Sequence, residues 1–272
     1  MSRIGAAFRF EIGELIKRRL SEFDVLEVMV DHYLAVNNHK KQVIRDFAAE
    51  VPVVGHGIGL SLGTYVKPDP RYLERVARSL DEMGALYHSE HLAFTRVPGI
   101  EYGELLPLPR TREMAEHVIS NIRYVKSFLN IPFHLENISY YFEYPDSELS
   151  DAEFFSLVCR ESGAGALLDV ENVYVNSMNH GGDPKGFIDA LPVGVVGAMH
   201  IAGGEWRDGV FVDTHGSAVP DEALELMVHA LQRHKPDVII LERDGNLSDG
   251  EELISDLRRV RAFANQMEAA VA

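Results

Sequence analysis

Cys159 is the only cysteine in this 272-residue chain. That excludes an intrachain disulfide and any thiolate-held zinc or iron–sulfur group built from this chain alone. Its setting, Phe154-Phe155-Ser156-Leu157-Val158-Cys159, reads as the buried face of a helix and gives the thiol a packing role. Long apolar runs are also missing. None approaches the roughly 20 residues that span a bilayer, and the N-terminus lacks the basic, apolar, small-residue succession of a cleaved signal, so a cytoplasmic protein without membrane contact is expected. Positive charge is scarce: 26 Lys and Arg face 42 Asp and Glu, for a formal net charge of -16. Lys and Arg are what grip phosphate backbones, so this balance opposes nucleic-acid binding. Bound cations would offset part of the excess acid, and the remainder is a solvated surface. No glycine–serine linker, internal repeat or low-complexity tract divides the chain.

What is present is a regular alternation. Strand-like runs at Ile4–Phe8, Val25–Met29, Val51–His56, Ala85–His91, Pro132–Glu136, Ala166–Val170, Val195–His200 and Val238–Glu242 are separated by other segments, several of them amphipathic. The helical candidates are Pro70–Met83, Thr111–Phe128, Asp151–Ser162, Gly186–Leu191, Asp221–His234 and Asp249–Met267, with a short first crossover near Arg9–Leu20 and a glycine-rich loop at Gly57–Thr64. Eight such units predict a closed parallel (β/α)8 barrel, one domain over residues 1–272.

In a parallel barrel the carboxyl ends of the strands converge on one opening. Nine nitrogen and oxygen donors stand at or just after those ends: His56, His91, Glu136, Asp169, Asn172, His200, Asp213, His215 and Glu242. Buried unpaired, such groups cost several kcal/mol each, whereas divalent cations would turn them into ligands. Alternation puts His88 and Glu90 on one face and Ser89 and His91 on the other, and His91 is the favoured inward group. His134 and Glu136 share a face, Glu136 being nearer the strand end and His134 a candidate hydrogen-bond donor behind it. Asp169 and Asn172 address neighbouring metals or, alternatively, Asp169 caps the next segment. A hairpin at Trp206–Val212 precedes Asp213-Thr214-His215, whose two side chains point the same way if the backbone is extended. Glu242 bridges two metals or pairs with Arg243. Asp244, Glu90 and His134 are the candidate proton carriers.

The motifs His-Gly-Ile-Gly-Leu-Ser-Leu-Gly (56–63), Ser-Glu-His-Leu-Ala (89–93), Leu-Leu-Pro-Leu-Pro (105–109), Leu-Glu-Asn-Ile-Ser (135–139), Leu-Leu-Asp-Val-Glu-Asn-Val-Tyr-Val (167–175), Met-His-Ile-Ala-Gly (199–203) and Asp-Thr-His (213–215) closely resemble the multinuclear non-haem iron-dependent oxidase family. That family includes enzymes of methanobactin and thiaglutamate biosynthesis. The resemblance runs from about Gly5 to Asp244. It implies a TIM barrel of the xylose-isomerase-like kind, shared with endonuclease IV, and the same nine residues as ligands. It further implies two or three iron ions in mixed Fe2+/Fe3+ states, O2 as co-substrate, a ribosomally made precursor peptide oxidised at or near cysteine, and a small leader-peptide-recognition partner protein. Asn172 stands where the nuclease-type site has histidine, a weaker neutral donor that could leave one metal exchangeable. Val30-Asp31-His32-Tyr33 and Glu242-Arg243-Asp244 depart from the family's Ser-Glu-Asn-Tyr-like and Glu-Trp-Asp stretches, and both are expected to border the mouth. An endonuclease IV-like phosphoesterase, a sugar isomerase and a non-catalytic metal-binding protein are the rival readings.

Overall fold

The structure, a computed structural model, describes residues 1–248 and 250–271, with side chains through residue 266. Eight strands follow in order: β1 (Arg3–Ala7), β2 (Leu26–Met29), β3 (Val53–Gly57), β4 (His88–His91), β5 (Phe133–Glu136), β6 (Gly165–Asp169), β7 (Val196–Ile201) and β8 (Val238–Leu241). Each pairs in parallel with its neighbours in sequence, and β1 closes the barrel on β8 with Ile4 opposite Ile239. The architecture is the eight-stranded parallel barrel read from the sequence.

Alternation along the strands decides what lies where. Ala7, Val25, Val54, Tyr87, Leu167, Ala198, Val238 and Ile240 pack together as an apolar plug inside the barrel. A larger apolar layer joins the outer strand faces to the helices. Burying each large side chain in these layers stabilises the fold by about 1.5–3 kcal/mol relative to exposure. One step beyond the plug, the same inward parity brings Glu27, His56, Ser89, Glu136, Asp169, His200 and Glu242 to the carboxyl rim, all buried. That rim is a charged layer resting on a dry one.

Helix boundaries follow local chemistry. Asp69 caps Pro70–Met83, with Pro70 in the first turn and Gly84 at φ 62° ending it. Ser150 and Glu153 form a capping box for Asp151–Ser162, which stops at left-handed Gly163. The other expected helices span Arg112–Lys126, Pro184–Ala190, Asp221–Arg233 and Gly250–Val271. Asp249, the expected start of the last one, lies outside the described residues. Helices Asn38–Glu50 and Val170–His180 were not anticipated. The first is polar around most of its circumference. The second follows β6 without a loop, so its first residue, Val170, read as the tail of the strand. The first crossover is a short helix, Gly13–Arg18, between two 3-10 turns.

Two hairpins rise from the carboxyl side of the barrel. One pairs Phe94–Val97 with Ile100–Leu106 after β4; the other pairs Glu205–Arg207 with Val210–Val212 after β7. Segment 57–64 is the expected loop, pinned by side chains on both its donors and its acceptors. Asp31 accepts from the Ile58 amide and Glu90 from the Leu60 amide, while Arg96 and Asn121 donate to carbonyls of residues 59, 60, 62 and 64. No helix among the described residues is long and apolar enough to cross a membrane.

Candidate metal centre

Donor atoms from six strands' ends meet at the rim in two tight groups. His56, His91 and Glu136 form one; Glu136, Asp169, His200 and Glu242 form the other, with the donor atoms of each group within 4.8 Å of one another. Glu136 belongs to both. Its Oε2 lies 3.2 Å from Nε2 of His56 and 3.2 Å from Nε2 of His91, and its Oε1 lies 3.0 Å from Nδ1 of His200. Glu242 Oε2 is 3.2 Å from the same His200 nitrogen. A third group stands beside these: Asp213 Oδ1 approaches His215 Nε2 to 2.7 Å, and His215 Nδ1 lies 3.6 Å from Glu242.

These short distances are mostly not hydrogen bonds. Glu136 Oε2, Asp169 Oδ2, Asn172 Oδ1, Asp213 Oδ1 and His215 Nε2 are buried and have no hydrogen-bond partner among the described residues. Two donors each about 2.1 Å from one ion stand roughly 3–3.5 Å apart at octahedral or tetrahedral angles. Lone pairs converging at that spacing without sharing a hydrogen fit a cation between them.

The four imidazoles carry the same signature. His56 has its Nδ1 on Ser89 Oγ at 2.9 Å, His91 its Nδ1 on the Gly57 carbonyl at 3.0 Å, and His200 its Nε2 on Glu27 at 2.8 Å. His215 turns Nδ1 toward Asp244 Oδ2, 3.5 Å away. In each ring one nitrogen is held by a neighbour and the other faces the carboxylates, which fixes the tautomer a metal ligand needs.

The strand-end residues arrive by alternation, but Asn172, Asp213 and His215 arrive otherwise. Asp169 ends β6 and caps helix Val170–His180: Oδ1 accepts the Asn172 amide at 2.9 Å, which leaves Oδ2 free. The capping and ligand readings thus describe different oxygens of one carboxylate. Asn172 gives its Nδ2 to the Asn137 carbonyl, so Oδ1 faces the rim. Asp213 and His215 converge through a turn, with His215 at φ 47°, and not through the extended backbone expected.

The proposed proton carriers separate. Asp244 stays at the rim, 46% exposed, between His215 and Arg9, whose Nε donates to Asp244 Oδ1 at 2.7 Å. Glu90 does not face the opening. It shares its side of the sheet with Gly57, is buried, and accepts the Leu60 and His91 amides. His134 lies two residues earlier on β5 than Glu136, roughly 7 Å lower by strand rise. It sits against Tyr87 in space left by Gly165 and Gly197, with no hydrogen bond to the rim. Glu90 reaches the rim only through His91, whose Nδ1 lies 3.3 Å from Glu90 Oε1, and His134 makes no polar contact with the rim donors among the described residues. Arg243 does not border the mouth either: it points into the outer layer and pairs with Asp256 at 2.7 Å and Glu252 at 3.0 Å, so it is not the partner of Glu242.

Two buried carboxylates had escaped the sequence reading. Glu27 is a lone acid in the apolar run of β2, a signal that was legible. Glu171, fully buried one residue before Asn172, has neither oxygen hydrogen-bonded among the described residues. The Gly204 amide lies beside it and favours its ionised form, yet outside hydrogen-bond geometry.

With protons as the only cations, this layer is under strain. Burial and the nearby Glu136 and Asp213 push Asp169 up to about 8. Burial opposes ionisation of Glu136, but His91, His200 and His56 hold it down at about 2. Burial likewise disfavours charged His91, yet Glu136 and Glu90 raise it to about 9. Protons are doing here what divalent ions do better, since one ion neutralises two carboxylates without a hydrogen-bond geometry to satisfy. The residues fit a multinuclear centre.

Comparisons with known proteins agree on fold and family. The barrel resembles D-psicose 3-epimerase from Clostridium cellulolyticum, with a TM-score of 0.61, 12% identity and coverage of 96% of this chain and 95% of that one. It also resembles endonuclease IV from Thermus thermophilus, with a TM-score of 0.57, 16% identity and coverage of 97% and 99%. Identities this low speak to the xylose-isomerase-like barrel alone. Sequence relatives are nearer: a UPF0276 protein of Chromobacterium violaceum is 37% identical over 221 residues, covering 81% of this chain and 80% of its own length. One from Alcanivorax borkumensis is 35% identical over 246 residues, covering 89% and 82%. A longer relative in Streptomyces avermitilis is 32% identical over 264 residues, and the match takes in 94% of this chain but only 54% of that protein. The model of the RiPP precursor modification enzyme family MbnB/TglH/ChrH matches residues 3–265, and the chain belongs to that family of peptide-modifying enzymes.

Proposed function

We propose that the protein is a multinuclear non-haem iron enzyme that uses O2 to oxidise a cysteine, or a residue beside it, in a ribosomally made precursor peptide. The observation that carries this reading is the set of buried donor atoms, 2.7–3.2 Å apart, that face one another without hydrogen bonds. His56, His91 and Glu136 would hold one ion, and Glu136, Asp169, His200 and Glu242 a second. Asn172, Asp213 and His215 would hold a third. Iron, when bound, supplies one-electron chemistry toward dioxygen that none of these side chains possesses.

The remaining work falls to the protein. Glu136 links two subsites through its two oxygens. Glu27, Ser89 and the Gly57 carbonyl hold three imidazoles in the orientation that keeps their donor nitrogens on the rim. Asp244, half exposed beside His215 and steered by Arg9, takes or returns the proton that leaves a substrate thiol or amide. Loop 57–64, pinned by Asp31, Glu90 and Arg96, walls one side of the opening and restricts water. Exposed Tyr102 and Trp206 on the two hairpins, with Tyr141 and Phe142 after β5, give the carboxyl side an aromatic border suited to a peptide. A small partner protein that recognises the peptide leader completes the proposal.

Anaerobic reconstitution with ferrous iron, followed by oxygen uptake on addition of a cysteine-bearing peptide, tests the reading. Iron-dependent uptake that a zinc-loaded sample lacks is expected. No uptake together with zinc-dependent phosphodiester cleavage would reverse it in favour of an endonuclease IV-like activity.

A further inference from the structure

The third subsite is short of negative charge, as is the first, whose one carboxylate is shared with the second, but beside the third stands a buried carboxylate that neither tight donor group uses. The donors of the third are the neutral Asn172 oxygen, one carboxylate from Asp213 and the His215 ring, which together offer a single negative charge to a cation carrying at least two. Glu171 stands next to it in the chain and in space. Its side chain is fully buried, and both oxygens lack a hydrogen-bond partner among the described residues. A buried carboxylate left this way costs several kcal/mol unless something positive meets it. Among the described residues its charged neighbours are Asp169, Asp213 and His215, with no lysine or arginine paired to it.

The local backbone is shaped around this carboxylate. Glu171 lies in the first turn of helix Val170–His180, where the helix dipole favours an anion. Gly204, at the foot of the Glu205–Val212 hairpin, passes so close that a Cβ there would sit 3.0 Å from Glu171 Oε1 and 2.6 Å from the Val212 carbonyl oxygen. A larger residue there would collide first with the Val212 backbone and crowd the Glu171 carboxylate. Glu171 belongs to neither of the two tight donor groups, so binding an ion asks for a rotation about its side-chain bonds.

We infer that Glu171 is an anionic donor to a third cation, supplying the charge that Asn172 does not. The inference rests on the metal-centre reading above and makes it more specific. It also changes an expectation: the subsite with the weak asparagine donor is not the loosely held one. Apart from Asp244, whose charge Arg9 meets, the rim carboxylates named among the described residues are Glu27, Glu136, Asp169, Glu171, Asp213 and Glu242, six charges that three divalent ions neutralise.

The test is metal content, independent of turnover. Wild-type protein, Glu171→Gln and the double variant Glu171→Gln/Asn172→Asp are each loaded anaerobically with ferrous iron, and separately with zinc, then desalted and analysed for metal per chain. Three ions in the wild type, two in Glu171→Gln and three again in the double variant are expected, because the second substitution returns the missing charge one residue further along. Circular dichroism and melting of the metal-free proteins, expected to agree, separate loss of a ligand from loss of fold; where Glu171→Gln does not fold, Glu171→Asp replaces it, with lowered resistance of one ion to chelator as the expected result. Glu171→Gln that keeps three ions with wild-type chelator resistance would overturn the inference, as would a wild type that holds only two. A wild type that holds none would instead remove the metal centre itself.

Discussion

Each rim histidine has one nitrogen held and one aimed at carboxylates, and the holding partner is as informative as the ligand. Glu27 is the clearest case, since its carboxylate on His200 Nε2 leaves Nδ1 for Glu136 and Glu242. Glu27→Gln keeps the shape but weakens the hold, so metal affinity should drop about 10–100-fold by chelator competition, the usual cost of losing such a partner. Unchanged affinity would mean that His200 needs no orientation. His88 gives a pH prediction away from the ligands. It faces the outer layer, and burial lowers it to about 4, although Glu90 pulls upward. The unfolded chain, with a ring near 6.5, takes the proton first as pH falls. The stability that neutral His88 contributes is therefore complete above about pH 6.5 and lost on going down to about 4. Urea midpoints at pH 7 and pH 5 should differ less in His88→Leu than in the wild type; equal differences would contradict the assignment.

Elements carry the site by parity, and parity explains what the sequence could and could not reveal. Six of the nine donors sit at or next to the ends of barrel strands, so their convergence was legible once eight strands were counted. Choosing between His88 with Glu90 and Ser89 with His91 needed the register, which pairs His56 with Ser89 and Gly57 with Glu90. His134 misled because two residues on one face are not at one height. Gly165 and Gly197 make the cavity that keeps its ring low, and a Cβ at Gly197 would meet it at 2.6 Å. Glu171 was hidden because the helix begins at Val170 without a loop, where the sequence reading ended a strand at Val170 and expected a turn. At the end of β8, Arg243 ties the strand to the last helix through buried Asp256. Arg243→Leu leaves that carboxylate with Arg259 and the Val219 amide, and should cost about 3 kcal/mol in urea unfolding. Arg243→Leu/Asp256→Leu should recover part of it; a single variant of wild-type stability would deny the tie any role.

At the scale of the whole molecule, a barrel that stacks a layer of acids and imidazoles on a dry plug is stable in that form only when cations share the layer. The chain's net charge of -16 is in keeping with this. Stripping the metal should lower the melting temperature by about 5–10 °C, the effect expected for ligands present far above their dissociation constants in a domain of this size. No shift, with metal loss verified by elemental analysis, would show that the rim stands without ions. The most direct measurement is anomalous diffraction at the iron edge from crystals of the anaerobically loaded protein. The account predicts one peak among His56, His91 and Glu136 and another among Glu136, Asp169, His200 and Glu242. Absence of both, or a lone ion bound on another surface, would contradict it.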